Sequence, residues 1–311
     1  MKLGVVSRIG EFPEKEWKSE FKLFGKTGER ASHLELISNY PYFGPLDYTK
    51  EQGRILRGYA KENDLELTIH LLPNQRGMSK RLLQGMFSSE KATKEFIECE
   101  KKLQELFNIS SLNEEVRKQS IEEIKLALNI AKEIEAKLIT IHGGVYNEER
   151  DYPLHLESSR KSLEQLDPYF KKTGIKLCVE NLPTIGHANN KIDEFPQKVE
   201  DLLYLIENLD GVGACLDVGH ANVYGDVIEF YKKIKKTGKL WDMHLHDNLG
   251  DKDNHMPIGK GDIPFEELFK RLKEDGYQGY CSIELDTWCR DKMEKEERVT
   301  GLSYLRRLAN N

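Results

Sequence analysis

The amino-acid sequence predicts a single-domain α/β protein folded as a (β/α)8 TIM barrel. Two observations predict this class. Eight short segments rich in Val, Ile and Leu recur along the 311 residues, with stretches of helical periodicity between them. Six of these segments also end in polar residues, as barrel strands do where they reach an active site.

The strands are placed where short apolar runs recur between helical stretches. In chain order they are predicted at 2–7, 32–38, 65–70, 137–142, 175–180, 212–217, 239–246 and 279–285. Their number is that of a closed barrel. With no internal repeat or linker between them, we expect one domain over 1–311.

The intervening helices carry recognisable start and stop signals. In the helix predicted near 114–135, Asn113 can cap the first turn, and an apolar stripe at helical spacing should face the sheet. A later helix opens at Asp262 and Pro264, and Gly276 can end it in the left-handed conformation. The last helix is predicted at about 292–309.

The segment at about 71–112 is far longer than an ordinary connection between a strand and the next helix. We interpret it as an insertion, an extended loop with helical parts, after the third strand. Its position beyond a strand's carboxyl end puts it at the barrel mouth, where substrate-covering segments are built. Its first half is basic, which fits either an anionic substrate or a solvated surface helix; the basic residues are Arg76, Lys80, Arg81, Lys91 and Lys94.

The composition is that of a globular protein, with 38% hydrophobic and 32% charged residues. No stretch approaches the roughly 20 apolar residues of a membrane span, and the start of the chain lacks the features of a signal peptide. We therefore expect a cytoplasmic protein without a membrane partner. The five scattered cysteines should be reduced core thiols. The net charge of −6 disfavours a large phosphate-binding surface but does not exclude nucleic acid.

Potential metal ligands end six consecutive strands, from the third to the eighth. They are His70, His142, Glu180, Asp217, His244 with His246, and Glu284. Carboxylates and imidazoles crowded at a barrel mouth would carry a large desolvation and repulsion cost, which a bound dication removes. The sequence therefore predicts a metal centre at the carboxyl ends of the strands.

Four of these residues, Glu180, Asp217, His244 and Glu284, form the predicted primary metal site. Three carboxylates and one imidazole make an oxygen-rich set that suits Mn²⁺, Mg²⁺ or Co²⁺, and Zn²⁺ accepts the same ligands. The ligand types leave the identity of the metal open.

Further polar residues surround this set. The candidates for additional metal or substrate contacts are His70, His142, His220, His246, Asp253 and His255. Glu35 alternates with His33 on the second strand, so both can face inward, and Glu35 is predicted to contact the substrate or to support a ligand. Lys260 lies between two glycines in the loop after the seventh strand and is predicted to bind substrate.

These motifs resemble the xylose isomerase-like barrel superfamily, which includes sugar phosphate isomerases and epimerases and endonuclease IV. The resemblance covers the chain outside 71–112. It rests on His142-Gly143-Gly144, Val179-Glu180-Asn181, Asp217-x-x-His220, His244-x-His246-Asp247-Asn248 with Gly259-x-Gly261, and Ile283-Glu284. Because members are often dimers or tetramers, it also implies a homo-oligomer.

The epimerase branch implies a divalent-metal-dependent isomerase or epimerase acting on a sugar, sugar phosphate or related polyhydroxy compound. Its two glutamates bind the metal and move the proton, so Glu180 and Glu284 would be base and acid. The metal would polarise the substrate carbonyl and stabilise an enediolate-like intermediate. His220 would bind a substrate oxygen. Ketohexose 3-epimerases carry an arginine in the loop after the seventh strand, whereas this loop has Lys252 and Lys260, which disfavours a free ketohexose.

The endonuclease IV branch gives the alternative, a multi-zinc phosphodiesterase that acts as an apurinic endonuclease. Its zinc ligands come from the same strand ends, and this sequence has a candidate at each position: His70, His142, Glu180, Asp217, His220, His244, Asp253, His255 and Glu284. The DNA-intercalating loops of that branch are not recognisable, since 39–43 supplies aromatics but little positive charge. One bound divalent ion would favour the isomerase, and two or three zinc ions the hydrolase.

Overall fold

The computed structural model describes residues 1–7, 9, 14–37, 48–71, 107–146, 148–183, 193–285 and 292–310. Strands and helices alternate along these residues, as the sequence predicts. The barrel strands are β1 (Lys2–Ser7), β2 (His33–Ile37), β3 (Glu66–Leu71), β4 (Leu138–His142), β6 (Lys176–Glu180), β8 (Val212–Asp217), β9 (Leu240–Leu245) and β10 (Tyr280–Ile283). Two further strands, β5 (Gly144–Tyr146) and β7 (Asp193–Phe195), form a separate antiparallel pair.

The barrel strands are all parallel and close in the order β1-β10-β9-β8-β6-β4-β3-β2. The ring is completed where β1 pairs with both β10 and β2, so that Gly4 has His33 on one side and Ser282 on the other. The predicted (β/α)8 TIM barrel is confirmed. The observed strands begin and end within two residues of the predicted bounds.

Nine α-helices accompany the strands within the described part of the chain. They are α1 (Glu14–Phe24), α2 (Lys50–Asn63), α3 (Glu114–Ile134), α4 (Tyr152–Thr173), α5 (Val199–Ile206), α6 (Val218–Tyr224), α7 (Val227–Lys235), α8 (Phe265–Glu274) and α9 (Lys292–Asn310). In α3 the predicted cap is present, because Asn113 accepts a hydrogen bond from the backbone N–H of Glu115. Gly276 follows α8 with φ of 64°. None of these described helices has the length and apolar character to cross a membrane.

The core lies between the outer face of the barrel and these helices. Apolar residues alternate along each strand and are almost fully buried, among them Leu36, Ile69, Ile141, Val179, Leu216, Leu245 and Ile283. Helical residues such as Ile124 and Leu268 complete the same cluster. Because alternate side chains of each strand point outward into this core, the side chains between them face the lumen of the barrel.

The lumen is polar beneath the mouth. Nε2 of His33 lies 2.8 Å from Oγ of Ser282, and the hydroxyl of Thr140 donates a hydrogen bond to Asp242 at 2.8 Å. Burial lowers the pKa of His33 to about 4 and raises the pKa of Asp242 to about 7. Buried free thiols of Cys178, Cys215 and Cys281 add to the interior, as expected for reduced core cysteines.

The predicted insertion is described only at its two ends. Leu71 is the last residue of β3, residues 107–113 turn into α3, and residues 72–106 between them lie outside the described part of the chain. Ser110 in this turn donates a hydrogen bond to the backbone oxygen of Val145 at 2.9 Å. The remaining predicted features lie outside the described residues: Arg76, Lys80, Arg81, Lys91, Lys94, the loop at 39–43, Cys99 and Cys289.

Candidate metal centre and active site

The four residues of the predicted primary site meet at the carboxyl ends of neighbouring strands. Glu180, Asp217 and His244 lie on β6, β8 and β9, and Glu284 follows β10. One ligand atom from each lies within 4.8 Å of the others. Nδ1 of His244 is 3.1 Å from Oε1 of Glu180 and 3.0 Å from Oε2 of Glu284. All four side chains are buried.

Asn181, the residue after Glu180, links the ends of β6 and β8. Its side chain donates a hydrogen bond to the backbone oxygen of Asp217 at 3.0 Å and accepts one from the Asp217 N–H at 2.9 Å. The carboxylate of Asp217 in turn caps α6 by accepting a bond from the N–H of His220. The ends of β6 and β8 are therefore held in fixed register beside the site.

A second group consists of His70, His142 and Glu180, the last shared with the primary site. Nε2 of His70 lies 3.2 Å from Oε2 of Glu180, and Nε2 of His142 lies 3.7 Å from the same oxygen. Nδ1 of His70 also lies 3.6 Å from Oε1 of Glu284. Two imidazoles from β3 and β4 thus face the two glutamates.

A third group consists of His220, His246, Asp253 and His255. Oδ2 of Asp253 lies 3.3 Å from Nε2 of His220 and 3.1 Å from Nε2 of His255. The His246 and His255 rings stack with centroids 3.9 Å apart. Nε2 of His246 is 3.0 Å from Oδ1 of Asp217, which joins this group to the primary site.

Asp247 organises the loop that carries the third group. Its carboxylate accepts hydrogen bonds from the backbone N–H of Gly259 and Ile263, and its backbone forms a bridge with Met256. A Cβ at Gly261 would overlap Asp247 and the adjacent backbone. The His-Asp-Asn and Gly-x-Gly motifs of this loop therefore shape one turn, with Lys260 exposed at its surface.

The charges at the mouth compensate one another. Burial alone would raise the pKa of Glu180 and Glu284, but the His244 and His70 imidazoles outweigh it and hold both pKa values well below their usual range. Burial would likewise lower the pKa of His70, yet Glu180 and Glu284 raise it to about 10. The pKa of His255 is raised to about 9 by Asp253 against the effect of burial.

The residues present fit a divalent metal. Several buried side-chain atoms make no well-directed hydrogen bond among the described residues, although some lie close to an oppositely charged group. They are both ring nitrogens of His70, Oε2 of Glu180, Oδ2 of Asp217, Oδ1 of Asp253 and Oε2 of Glu284. Buried polar atoms are normally satisfied. Carboxylate oxygens and imidazole nitrogens are the donors that Mn²⁺, Co²⁺ and Zn²⁺ accept.

Two carboxylates lie behind imidazoles of the site. Oε1 of Glu35 is 3.2 Å from Nε2 of His244, on the side of the ring opposite Glu180. Oε1 of Glu194, on β7, is 3.2 Å from Nδ1 of His142. Alternation on the second strand pointed to Glu35, whereas a three-residue strand has no periodicity by which Glu194 could be found.

Residues 32–308 match the family described as the xylose isomerase-like TIM barrel. An uncharacterized protein of Methanocaldococcus jannaschii is 34% identical over 182 residues, 57% of this chain and 60% of its own. Fructoselysine 3-epimerase of Escherichia coli O157:H7 is 27% identical over 189 residues, 58% and 64% of the two chains. A probable endonuclease 4 of Mycobacterium leprae is 28% identical over 182 residues, 57% and 69%. The chain thus spans about three-fifths of the length of the first of these relatives.

A crystal structure of a D-tagatose 3-epimerase-like protein has the same fold. It superposes with a TM-score of 0.75 over 100% of this chain and 98% of its own, at 22% identity. At that identity the likeness establishes the barrel architecture and leaves the activity to the residues of the site.

Proposed function

Because the chain belongs to the xylose isomerase-like TIM barrel family, we propose that it is a divalent-metal-dependent isomerase or epimerase acting on a sugar, sugar phosphate or related polyhydroxy compound. The observation that carries the proposal is the pair of buried carboxylates, Glu180 and Glu284, at 3.1 and 3.0 Å from one ring nitrogen of His244. Two carboxylates facing one small volume suit removal and return of a proton.

Glu180, Asp217, His244 and Glu284 would hold the metal. When bound there, a divalent ion supplies Lewis-acid polarisation of a substrate carbonyl and its neighbouring hydroxyl. The depressed pKa values of Glu180 and Glu284 keep both carboxylates ionised at neutral pH, so either can accept a proton from the carbon next to that carbonyl. Return of that proton by the same glutamate to the neighbouring carbon would move the carbonyl. Inversion of the centre would need the other glutamate to take up a proton from solvent first and to deliver it to the opposite face.

The remaining residues would position the substrate and exclude water. His220 is buried beside Glu180, with Nδ1 3.4 Å from Oε1, and would contact a substrate oxygen. The loop organised by Asp247 carries Asp253, whose Oδ2 lies 3.3 Å from Nε2 of His220. Lys260 on that loop stays a predicted substrate contact.

Substitution of Glu284 by Gln tests the proton-transfer role. The amide cannot accept the proton, so we expect turnover to fall by roughly 10²- to 10⁴-fold. The assay is solvent deuterium incorporation into a panel of ketoses and their phosphates with Mn²⁺- or Co²⁺-loaded enzyme. Glu274→Gln, at an exposed position of α8, is the control and should exchange at the wild-type rate. Near-normal exchange by Glu284→Gln would contradict the role.

Phosphodiester hydrolysis is the second candidate function. It is favoured by one observation, the continuity of the second and third groups with the primary site through Glu180 and Asp217. Several metals around one phosphate would stabilise its oxygens during attack by hydroxide.

Elemental analysis of protein purified without chelator separates the candidates. About one Mn, Co or Mg per chain would support the isomerase. Two or three Zn per chain, together with cleavage of DNA that contains an abasic site, would support the hydrolase.

A further inference from the structure

We propose that Glu194 is a positioning residue, which fixes the imidazole of His142 so that Nε2 is directed at Glu180. Oε1 of Glu194 lies 3.2 Å from Nδ1 of His142, and Nε2 of the same ring lies 3.7 Å from Oε2 of Glu180. The ring therefore spans two carboxylates from different elements. The inference rests on the proposed function in that it assumes a metal beside Glu180.

The hydrogen bond to Glu194 selects the tautomer of His142. A neutral imidazole has one N–H donor and one acceptor nitrogen. If Nδ1–H donates to Glu194, the lone pair of Nε2 faces Glu180 and can bind a cation there. A carboxylate behind an imidazole is the arrangement that orients metal-binding histidines and increases their basicity.

Glu194 is carried by a strand whose position is fixed. In the β5–β7 pair, Val145 lies opposite Glu194 and Gly144 lies opposite Phe195. Phe195 is completely buried, and its ring contacts those of Tyr146 and Tyr152. The pairing of β7 with β5 and the packing of Phe195 therefore set the distance from Glu194 to the end of β4.

The glycines after His142 permit this approach. A Cβ on Gly143 would come within 2.7 Å of the backbone oxygen of Phe195, and Gly144 has φ of 140°, which favours glycine. The His142-Gly143-Gly144 motif therefore lets β7 pack against the end of β4. The same packing brings Glu194 to the imidazole.

His142 needs such support more than the other imidazole with a carboxylate behind it. His244 is fully buried and held by packing as well as by Glu35, whereas the His142 side chain is 16% exposed and Glu194 24% exposed. A ring at the edge of the mouth depends on its hydrogen bond for orientation.

The first experiment reads the tautomer in metal-free protein. Imidazole ¹⁵N shifts from ¹⁵N-histidine labelling should show His142 with its proton on Nδ1 in the wild type and in Glu194→Gln, which keeps an acceptor oxygen. Glu194→Ala should lose this preference. A His142→Gln spectrum assigns the signal, and Glu200→Ala, an exposed position on α5, is the control. A proton on Nε2 in the wild type, or no change in Glu194→Ala, would overturn the proposal.

The second experiment reads metal affinity. In competition dialysis with Zn²⁺, Glu194→Ala should lower the affinity for the ion that His142 helps to bind by about 10- to 100-fold. Glu194→Gln should lower this affinity less. Unchanged Zn²⁺ affinities in Glu194→Ala would refute the proposal that Glu194 positions His142 as a metal ligand. Since the tautomer is read without metal or substrate, its result stands apart from any failure of the isomerase assay.

Discussion

At the scale of single residues, Gly219 determines where a neighbouring imidazole can lie. It stands between Asp217 and His220 in α6, and a Cβ at this position would overlap the ring of His246. That ring contacts Asp217 and stacks on His255. The absence of one side chain thus allows the primary site and the third group to meet.

We expect Gly219→Ala to displace His246 and to lower metal affinity at the third group by at least tenfold, because the added methyl group occupies the volume of the ring. The measurement is Zn²⁺ or Co²⁺ binding by dialysis. Gly58→Ala is the matched control. Its Cβ meets open space within α2, so it should raise the free energy of unfolding by roughly 0.5–1 kcal/mol. Unchanged metal binding by Gly219→Ala would contradict this expectation, because it would show that the His246 ring can shift without loss of metal affinity.

The sequence allowed the inward direction of a site residue to be predicted where that residue lies on a barrel strand with alternating side chains. Glu180 and Asp217 are the last residues of short strands and His244 is the last but one of its strand, so the direction of each side chain follows from the period of two. Glu194 could not be found in this way, because its position depends on the pairing of β7 with β5. That pairing is a contact between residues about fifty positions apart in the chain.

At the scale of elements, α2 begins with a complete capping box. The side chain of Thr49 accepts from the N–H of Gln52, and the Gln52 side chain accepts from the N–H of Thr49 at 2.9 Å. Both bonds satisfy backbone donors that the first helical turn leaves without partners.

We expect Thr49→Ala to lower the free energy of unfolding by about 1 kcal/mol, since it removes one bond and releases the other. Urea denaturation of metal-free protein measures this change in the free energy of unfolding. Lys50→Ala, at the next exposed position, should change stability by less than about half as much. Equal losses in the two variants would argue against the capping box.

Elements with a strong period were predictable and short ones were not. The helices at 114–135 and 292–309 agree with α3 and α9 within one residue, because both are long and Asn113 marks the start of α3. The strands β5 and β7 have three residues each and were not predicted. They form because the ends of β4 and β6 lie side by side in the closed barrel, which no local pattern encodes.

At the scale of the whole molecule, the polar lumen couples stability to pH. His33 is buried and neutral, with its pKa lowered to about 4 by burial. The folded-state pKa lies below that of the unfolded chain, so the unfolded state binds the proton more readily. This contribution to stability is complete above about pH 6.5 and is lost as the pH falls towards 4.

We expect metal-free wild type to lose up to about 3 kcal/mol more stability than His33→Gln between pH 6.5 and pH 4. Urea denaturation at several pH values gives the difference. His155→Gln, on the partly exposed face of α4, is the control and should follow the wild type. Parallel pH profiles for wild type and His33→Gln would exclude this role of His33.

The order of strands around the barrel divides the predicted ligands between the two halves of the chain. The primary set ends the adjacent strands β6, β8, β9 and β10, all from the second half, whereas His70 and His142 end β3 and β4 of the first. Exchange of the first half between relatives could therefore change how many ions are held without altering the primary ligands. In such a barrel, an ion that depends on His70 and His142 can be inherited separately from the primary one, whereas the third group stays with the primary ligands in the second half of the chain.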